Sequence, residues 1–344
     1  MPTTMTLDVR VHSDPGSFEL PEWQHLFEAD PNSHIFSTPQ WNRTWWQEFG
    51  AEEDLLVLTM LRGDDAVAVV PLHRRVEDDR RVLRFVGGVN LTDYLGPISS
   101  AHDRDEVARG LVEWLGETDV SWDELDAHNM PVPFGFAELF VDWVDRSGFE
   151  FALEQEETSA ILVLQEDWDA YLSSLDSKNR HELKRKRRRL ARDHPDARFR
   201  TATEETLERD LETFIDMHRG TEGLKGHFMN KEVATFFRRV AQDFSALGWL
   251  RLDFLDIGDR AVASTFGFSH GHTFYLYNSA YEPDAARLSP GLVLVSELVK
   301  ESIEDERLQT FDFLRGPERY KYQLGSQAVP LNNVRVFNPG SCTR

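Results

Sequence analysis

The chain has 344 residues, 60 Asp and Glu against 38 Lys and Arg, a formal net charge of −22, and one cysteine, Cys342. That length exceeds one ordinary core and provides for two; the acidity excludes a protein that coats nucleic acid or anionic membrane over its general surface, because counterion release needs basic surface. One cysteine excludes an internal disulfide, the scattered histidines hold no HExxH pattern, and no run approaches the roughly 20 apolar residues of a membrane helix, so no metal site and a cytoplasmic location are expected.

In chain order, helices are expected over 22–29 and over 39–49 behind Thr38, followed by the hairpin LLVLTMLRGDDAVAVVPLHRR, which turns at Gly63 and Asp64. Trp41, Trp45 and Trp46 share one helical face and read as core. VLRFVGGV is a third strand, 105–115 a helix, WDELDA a strand, 134–144 a helix and FEFALEQ a strand.

TSAILVLQ then opens a second run, and a helical stretch covers 168–193. Within it SKNRHELKRKRRRLAR, 177–192, holds nine Lys or Arg and one acid, Glu182. Leu183 and Leu190 lie on one face, so most of this charge points to water or to a partner. It is either a solvated helix or an anion site for a phosphate, a nucleotide or tRNA, with Arg180 among the candidate contacts.

Amphipathic helices follow over 203–218 and 230–244, then three antiparallel strands in WLRLDFLDIGDRAVASTFGFSHGHTFYLYNSAY, turning at Gly258 and Gly271. SPGLVLVSELVKESIEDE supplies a helix, TFDFL a strand, PERYKYQL a short helix and VPLNNVRVF a last strand. The two halves list the same elements in the same order, which predicts two copies of one layout over 1–156 and 157–344, the basic helix 178–192 lying in the second.

This element order resembles the GNAT N-acyltransferase fold. FSTPQWNRTWWQEFG, SKNRHELKRKRRRL, FYLYNSAYEPDAARLSPGLVL and FDFLRGPERYKYQLG look like the BioF-like acetyltransferase domain family, also labelled after CelD, and the chain is distantly similar to the FemAB peptidyltransferases. The resemblance runs over most of the chain and is strongest over 160–325. It implies an α+β protein of two tandem GNAT-like folds, each a mixed, mostly antiparallel sheet flanked by helices. It implies transfer of an acyl group from an activated donor, acyl-CoA first among them, to an amine of a small molecule, sugar or cell-envelope precursor. The alternatives are a FemAB-like ligase that uses aminoacyl-tRNA and a non-catalytic module that binds a nucleotide sugar or polysaccharide precursor.

For the donor, Ser289 is a candidate N-cap, Pro290 fits the first helical position, and Gly291 lets an anion approach the free amides of residues 289–292, Leu292 included. GNAT enzymes usually carry a Gln/Arg-x-x-Gly-x-Gly/Ala run there; RLSPGL keeps Arg287 and Gly291 but not that spacing. The plainer reading is a well-capped helix.

For the chemistry, an amine must lose a proton and the leaving group must gain one. Asp312, an acid between Phe311 and Phe313 on an apolar strand, is the candidate base or amine-orienting group. Tyr320 is the candidate proton donor, and Lys321 the candidate partner of developing negative charge. The structural alternative is an ion pair from Asp312 to Lys321 or Arg319. Tyr275 and Tyr277 on the strand before the donor loop, and Asp93 with Tyr94 in the first copy, complete the candidate substrate contacts.

Overall fold

A computed structural model describes residues 6–30, 32–220 and 227–341, which leaves Cys342 outside the described residues. The chain divides into two units, Met1–Thr158 with Val329–Arg344, and Ser159–Ala328.

The first unit contains β1 (Asp8–His12), α1 (Pro21–Ala29), α2 (Pro39–Phe49), β2 (Asp54–Arg62), β3 (Asp65–Glu77), β4 (Arg80–Phe85), β5 (Ile98–Ser99), α3 (Arg104–Glu117), β6 (Glu124–Pro131), α4 (Phe136–Ser147) and the start of β7 (Glu150–Val163). The second contains the end of β7, α5 (Trp168–Ser174), α6 (Ser177–Asp193), β8 (Ala197–Thr201), α7 (Leu207–Arg219), α8 (Lys231–Ala246), β9 (Leu250–Ile257), β10 (Arg260–His270), β11 (Thr273–Tyr281), α9 (Pro290–Glu304), β12 (Thr310–Arg315) and α10 (Arg319–Gln323). From Val329 onward, β13 (Gln327–Phe337) belongs to the first unit.

Each unit is a mixed sheet flanked by helices, the class expected. The first sheet runs β1-β2-β3-β4-β6-β13, antiparallel except for β4 beside β6; the second runs β8-β9-β10-β11-β12-β7, antiparallel except for β11 beside β12. The layouts match strand for strand, with one difference from the sequence reading. VPLNNVRVF, expected in the second copy, closes the first sheet against β6, and the TSAILV end of β7 closes the second against β12. FEFALEQ and TSAILVLQ are not two strands but one, and the division falls inside it. Hydrophobic alternation specifies that these segments are strands; it carries no information on which edge they complete.

The repeat extends to a bulge. Between Asp312 and Arg315, β12 has one residue more than its partner stretch Ser159 to Ile161, and β6 gains one between Ala127 and Met130 against Asn332 to Val334. Each bulge places a non-glycine residue in the left-handed region, Leu314 at φ 59° and Asn129 at φ 54°.

The helices form where the apolar spacing dictates. In α8, Val233, Phe236, Phe237, Val240 and Phe244 fall on one face and are buried, and the Asn230 side chain accepts from the Val233 amide at 2.8 Å to cap the start. Phe237 and Phe214 of α7 meet Phe266 of β10 at ring distances of 5.0 and 5.6 Å; each such buried ring contributes about 1.5–3 kcal/mol. On the other face of the sheet, α9 buries Val293, Leu294, Val295, Leu298 and Val299. The stretch expected as one helix over 168–193 is two, because the Asp176 carboxylate accepts from the Asn179 amide at 2.9 Å and starts α6 anew. No helix among the described residues is long and apolar enough to cross a membrane.

Candidate functional site

β11 and β12 pair only where Thr273, Phe274 and Tyr275 face Thr310, Phe311 and Asp312. Beyond that point β11 continues to Tyr281 with no partner on this side, while the bulge at Leu314 turns β12 away. The opening is a cleft of about 280 Å³, lined by Ser279 and Tyr281 of β11, by Ser289, Gly291 and Leu292 at the start of α9, and by Glu318 and Tyr320 at α10. Pro290 occupies the first helical position, and a Cβ built on Gly291 would meet only Tyr281 Cδ1, at 3.6 Å. Ser289 stands at the N-cap position but at φ 54°, and its hydroxyl makes no capping bond, contrary to the sequence reading. The Ser289 amide, expected to be free, donates to the Ala286 carbonyl at 2.9 Å and Pro290 has no N–H, so the helix start offers the amides of Gly291 and Leu292 on the cleft side, a geometry that suits an anion.

Tyr320 lines this cleft, and burial pushes its phenol well above the usual range, Glu318 adding to the effect and a hydrogen bond from Ser279 opposing it. The phenol therefore keeps its proton at neutral pH. The cleft thus sets the start of α9 across from a protonated phenol.

The stretch from α6 to α10 that builds both walls of the cleft is also the stretch that matches a known family. Residues 177–322 fit the model for the acetyltransferase (GNAT) domain. Over that stretch the chain is similar to the acetyltransferase (GNAT) domain. No curated protein matches it in sequence. Among solved structures, the fold matches FemX at 11% identity, with 95% of this chain and 96% of FemX covered and a TM-score of 0.66. It also matches a conserved protein of unknown function from Bacteroides thetaiotaomicron at 12%, with 96% and 100% covered and a TM-score of 0.60. A third match is a domain described as the C-terminal domain of a lysylphosphatidylglycerol synthetase from Agrobacterium fabrum, at 10%, with 95% and 94% covered and a TM-score of 0.56. At such identities these likenesses establish the fold.

Within the matched stretch, the structure separates residues that the sequence reading grouped. Asp312 is 3% exposed; its Oδ1 accepts from the Leu314 amide at 2.8 Å and from Ser159 Oγ at 3.3 Å. Lys321, also 3% exposed, donates from Nζ to the Leu314 carbonyl at 3.1 Å and to the Arg315 carbonyl, and pairs with Glu318 at 3.0 Å. The carboxylate holds the bulge by its N–H and the ammonium holds it by its carbonyls; neither lines the cleft. They shape the opening rather than face a ligand in it. Arg287 is exposed on the turn Pro283–Leu288 and does not line the cleft either.

Tyr275 is buried directly opposite Asp312, and Tyr277, half-buried, packs among Phe237, Phe266 and Phe268; neither lines the cleft. Arg180 reaches the carbonyls of Leu172, Ser173 and Leu175, at 3.3–3.4 Å, and closes the end of α5. Elsewhere on α6, Arg187 docks on Ser296 and Glu297 of α9, and Arg185, Arg189 and Arg192 pair with Glu182 or Asp193. Lys178, Lys184 and Arg188 are exposed and have no carboxylate partner among the described residues.

Asp93 and Tyr94 lie in the first unit, where the counterpart of the cleft is filled. There β4 and β6 pair only at Val82 and Leu83 against Glu124 and Leu125. The Asn129 side chain donates to the carbonyls of Val89 and Thr92, at 3.1 and 2.8 Å, and the Leu95 amide donates to the Asn129 carbonyl at 3.1 Å. The segment carrying Asp93 and Tyr94 is thereby laid into the opening, and a cavity of about 40 Å³ remains beside Tyr94 and Arg104. Ser279 and Tyr281, which line the open cleft, were not singled out in sequence. Their signal was present only as strand parity along FYLYNSAY, and parity has meaning there only once the strands are known to part after Tyr275.

Proposed function

We propose that the chain is an N-acyltransferase that takes an acyl group from an activated donor, acyl-CoA as the first candidate, and delivers it to an amine of a small-molecule, sugar or cell-envelope precursor in the cytoplasm. The observation that carries this reading is the parting of β11 and β12 into a cleft bounded by the start of α9 and by Tyr320. A phosphate-bearing carrier would lie against the amides of Gly291 and Leu292 with its acyl group between the strands, and Tyr320 would protonate the leaving group as the tetrahedral intermediate collapses. Thermal-shift screening with acyl-CoAs tests it: a ligand at about 100 times its Kd adds about 2.7 kcal/mol. Stabilisation by acyl-CoA together with thiol release on adding amines supports the proposal. Stabilisation by nucleotide sugars alone, without acyl transfer, replaces it with a binding module.

A second reading, an aminoacyl-tRNA donor, is favoured by one observation. Lys178, Lys184 and Arg188 recur every four to six residues along an exposed face of α6, in a protein of net charge −22. Under that reading tRNA binding weakens steeply with salt and is lost on reversing Lys178, Lys184 and Arg188 together to Glu. Acyl-CoA turnover with no effect of tRNA eliminates it.

A further inference from the structure

Thr201, Asp253, Thr265 and Ser279 occupy directly opposed positions on β8, β9, β10 and β11. Opposed residues project to the same face of a sheet, so the four form one row across the second unit. The row lies under α9: one step along the strands, Leu255 and Ala263 pack against Val293 and Leu294, and Arg251 reaches Glu301 at 2.9 Å. Its two ends differ. Thr201 is exposed on the edge strand, whereas Ser279 lines the cleft together with Tyr320.

Between these ends, Asp253 and Thr265 are 2% and 1% exposed. Asp253 Oδ1 accepts from Thr201 Oγ1 at 2.5 Å and from Arg251 at 3.0 Å. Asp253 Oδ2 and the Thr265 hydroxyl, buried on facing positions, have no hydrogen-bond partner among the described residues. Such groups lower stability, and valine at 265 would give the same shape without the cost. Burial also raises the Asp253 carboxyl above its ordinary range against the pull of Arg251, so the group can carry a proton.

We propose that Thr201, Asp253, Thr265 and Ser279 form a proton relay from solvent to Tyr320, which restores the proton that Tyr320 gives to the leaving group. It rests on the reading of Tyr320 as the general acid. When the leaving thiolate takes the phenolic proton, Ser279 reprotonates the Tyr320 oxygen, Thr265 reprotonates Ser279 through one water, and the Asp253 carboxyl gives its proton to Thr265 through another. Asp253 regains a proton from solvent beside Thr201. The acceptor ammonium loses two protons to cleft water on becoming an amide N–H, so each turnover releases one proton net. Thr265 and Asp253 are positioning residues in this scheme; they act through Tyr320 and do not touch substrate.

The test uses the full chain labelled with 13Cζ-tyrosine in mixed H2O and D2O, where the isotope shift reports exchange of the Tyr320 hydroxyl; Tyr320→Phe assigns the signal. Thr265→Val and Asp253→Asn are expected to slow that exchange at least tenfold, and Thr265→Ser to restore it, with the melting temperature of Thr265→Val not lowered. An exchange rate unchanged in Thr265→Val overturns the relay whatever the enzyme does. Thiol release from acetyl-CoA is followed in parallel: a lower kcat at unchanged KM in Thr265→Val supports the relay, and equal kcat in Thr265→Val and wild type overturns it. No thiol release by the wild type overturns the donor reading, a result distinct from failure of the row.

Discussion

Lys321 places an ammonium, 3% exposed, against the two carbonyls that the bulge at Leu314 leaves outside the ladder. Removing it orphans those acceptors and frees Glu318, so Lys321→Ala is expected to cost about 2–3 kcal/mol, read as a lower urea midpoint. Had it been a catalytic cation, the stability would stay and the turnover would fall. In the first unit, His128 sits between Asp126 at 2.9 Å and Glu156 at 2.7 Å, and these two carboxylates raise it to about 9 against the effect of burial. Its folded value lies above its unfolded one, so its contribution is complete below about pH 6.5 and disappears as pH rises to about 9. The unscreened shift amounts to about 3 kcal/mol, and its partial exposure reduces that to about 1–2 kcal/mol. Unfolding free energies at pH 6 and pH 9 should therefore converge between wild type and His128→Gln at the higher pH; a constant gap would show that the clamp does not titrate.

At the scale of elements, α9 illustrates how much was legible. Ser-Pro-Gly before an apolar run announced its start, and Pro290 and Gly291 are where that pattern puts them. What the pattern could not supply was the neighbour, since the cleft exists because β11 outlasts its pairing with β12 by six residues, Leu276 to Tyr281. Gly291→Val would project into that cleft while meeting little but Tyr281, so donor affinity should fall at least tenfold with the melting temperature within a few degrees of wild type. Isothermal titration with acetyl-CoA measures it, and undiminished affinity would mean that the donor does not lie against α9. The bulges are the converse case: asparagine tolerates the left-handed conformation found at Asn129, but nothing in TFDFLR marks Leu314 for a conformation that leucine rarely adopts.

For the molecule as a whole, the repeat of layout does not repeat the opening. The second unit keeps a cleft of about 280 Å³, whereas the first, closed by Asn129 and the segment it holds, keeps about 40 Å³. One donor per chain is therefore expected at saturation, and equilibrium dialysis giving two would contradict the closure. In a protein of charge −22, nine of the 38 Lys and Arg fall on the single helix α6, which makes that helix a local exception to an acidic molecule.

The sequence by itself determined the α+β class, the duplicated element order, the buried faces of α6, α7 and α8, and the start of α9, because each follows from short-range periodicity and capping chemistry that a segment carries within itself. Tertiary structure alone decided which sheets β7 and β13 complete, where β11 and β12 part, and that Asp312 and Lys321 hold a bulge while Tyr320 faces the cleft. Those outcomes depend on strand register and on hydrogen bonds between residues far apart in the chain, and one residue of slip would turn each of these side chains to the opposite face.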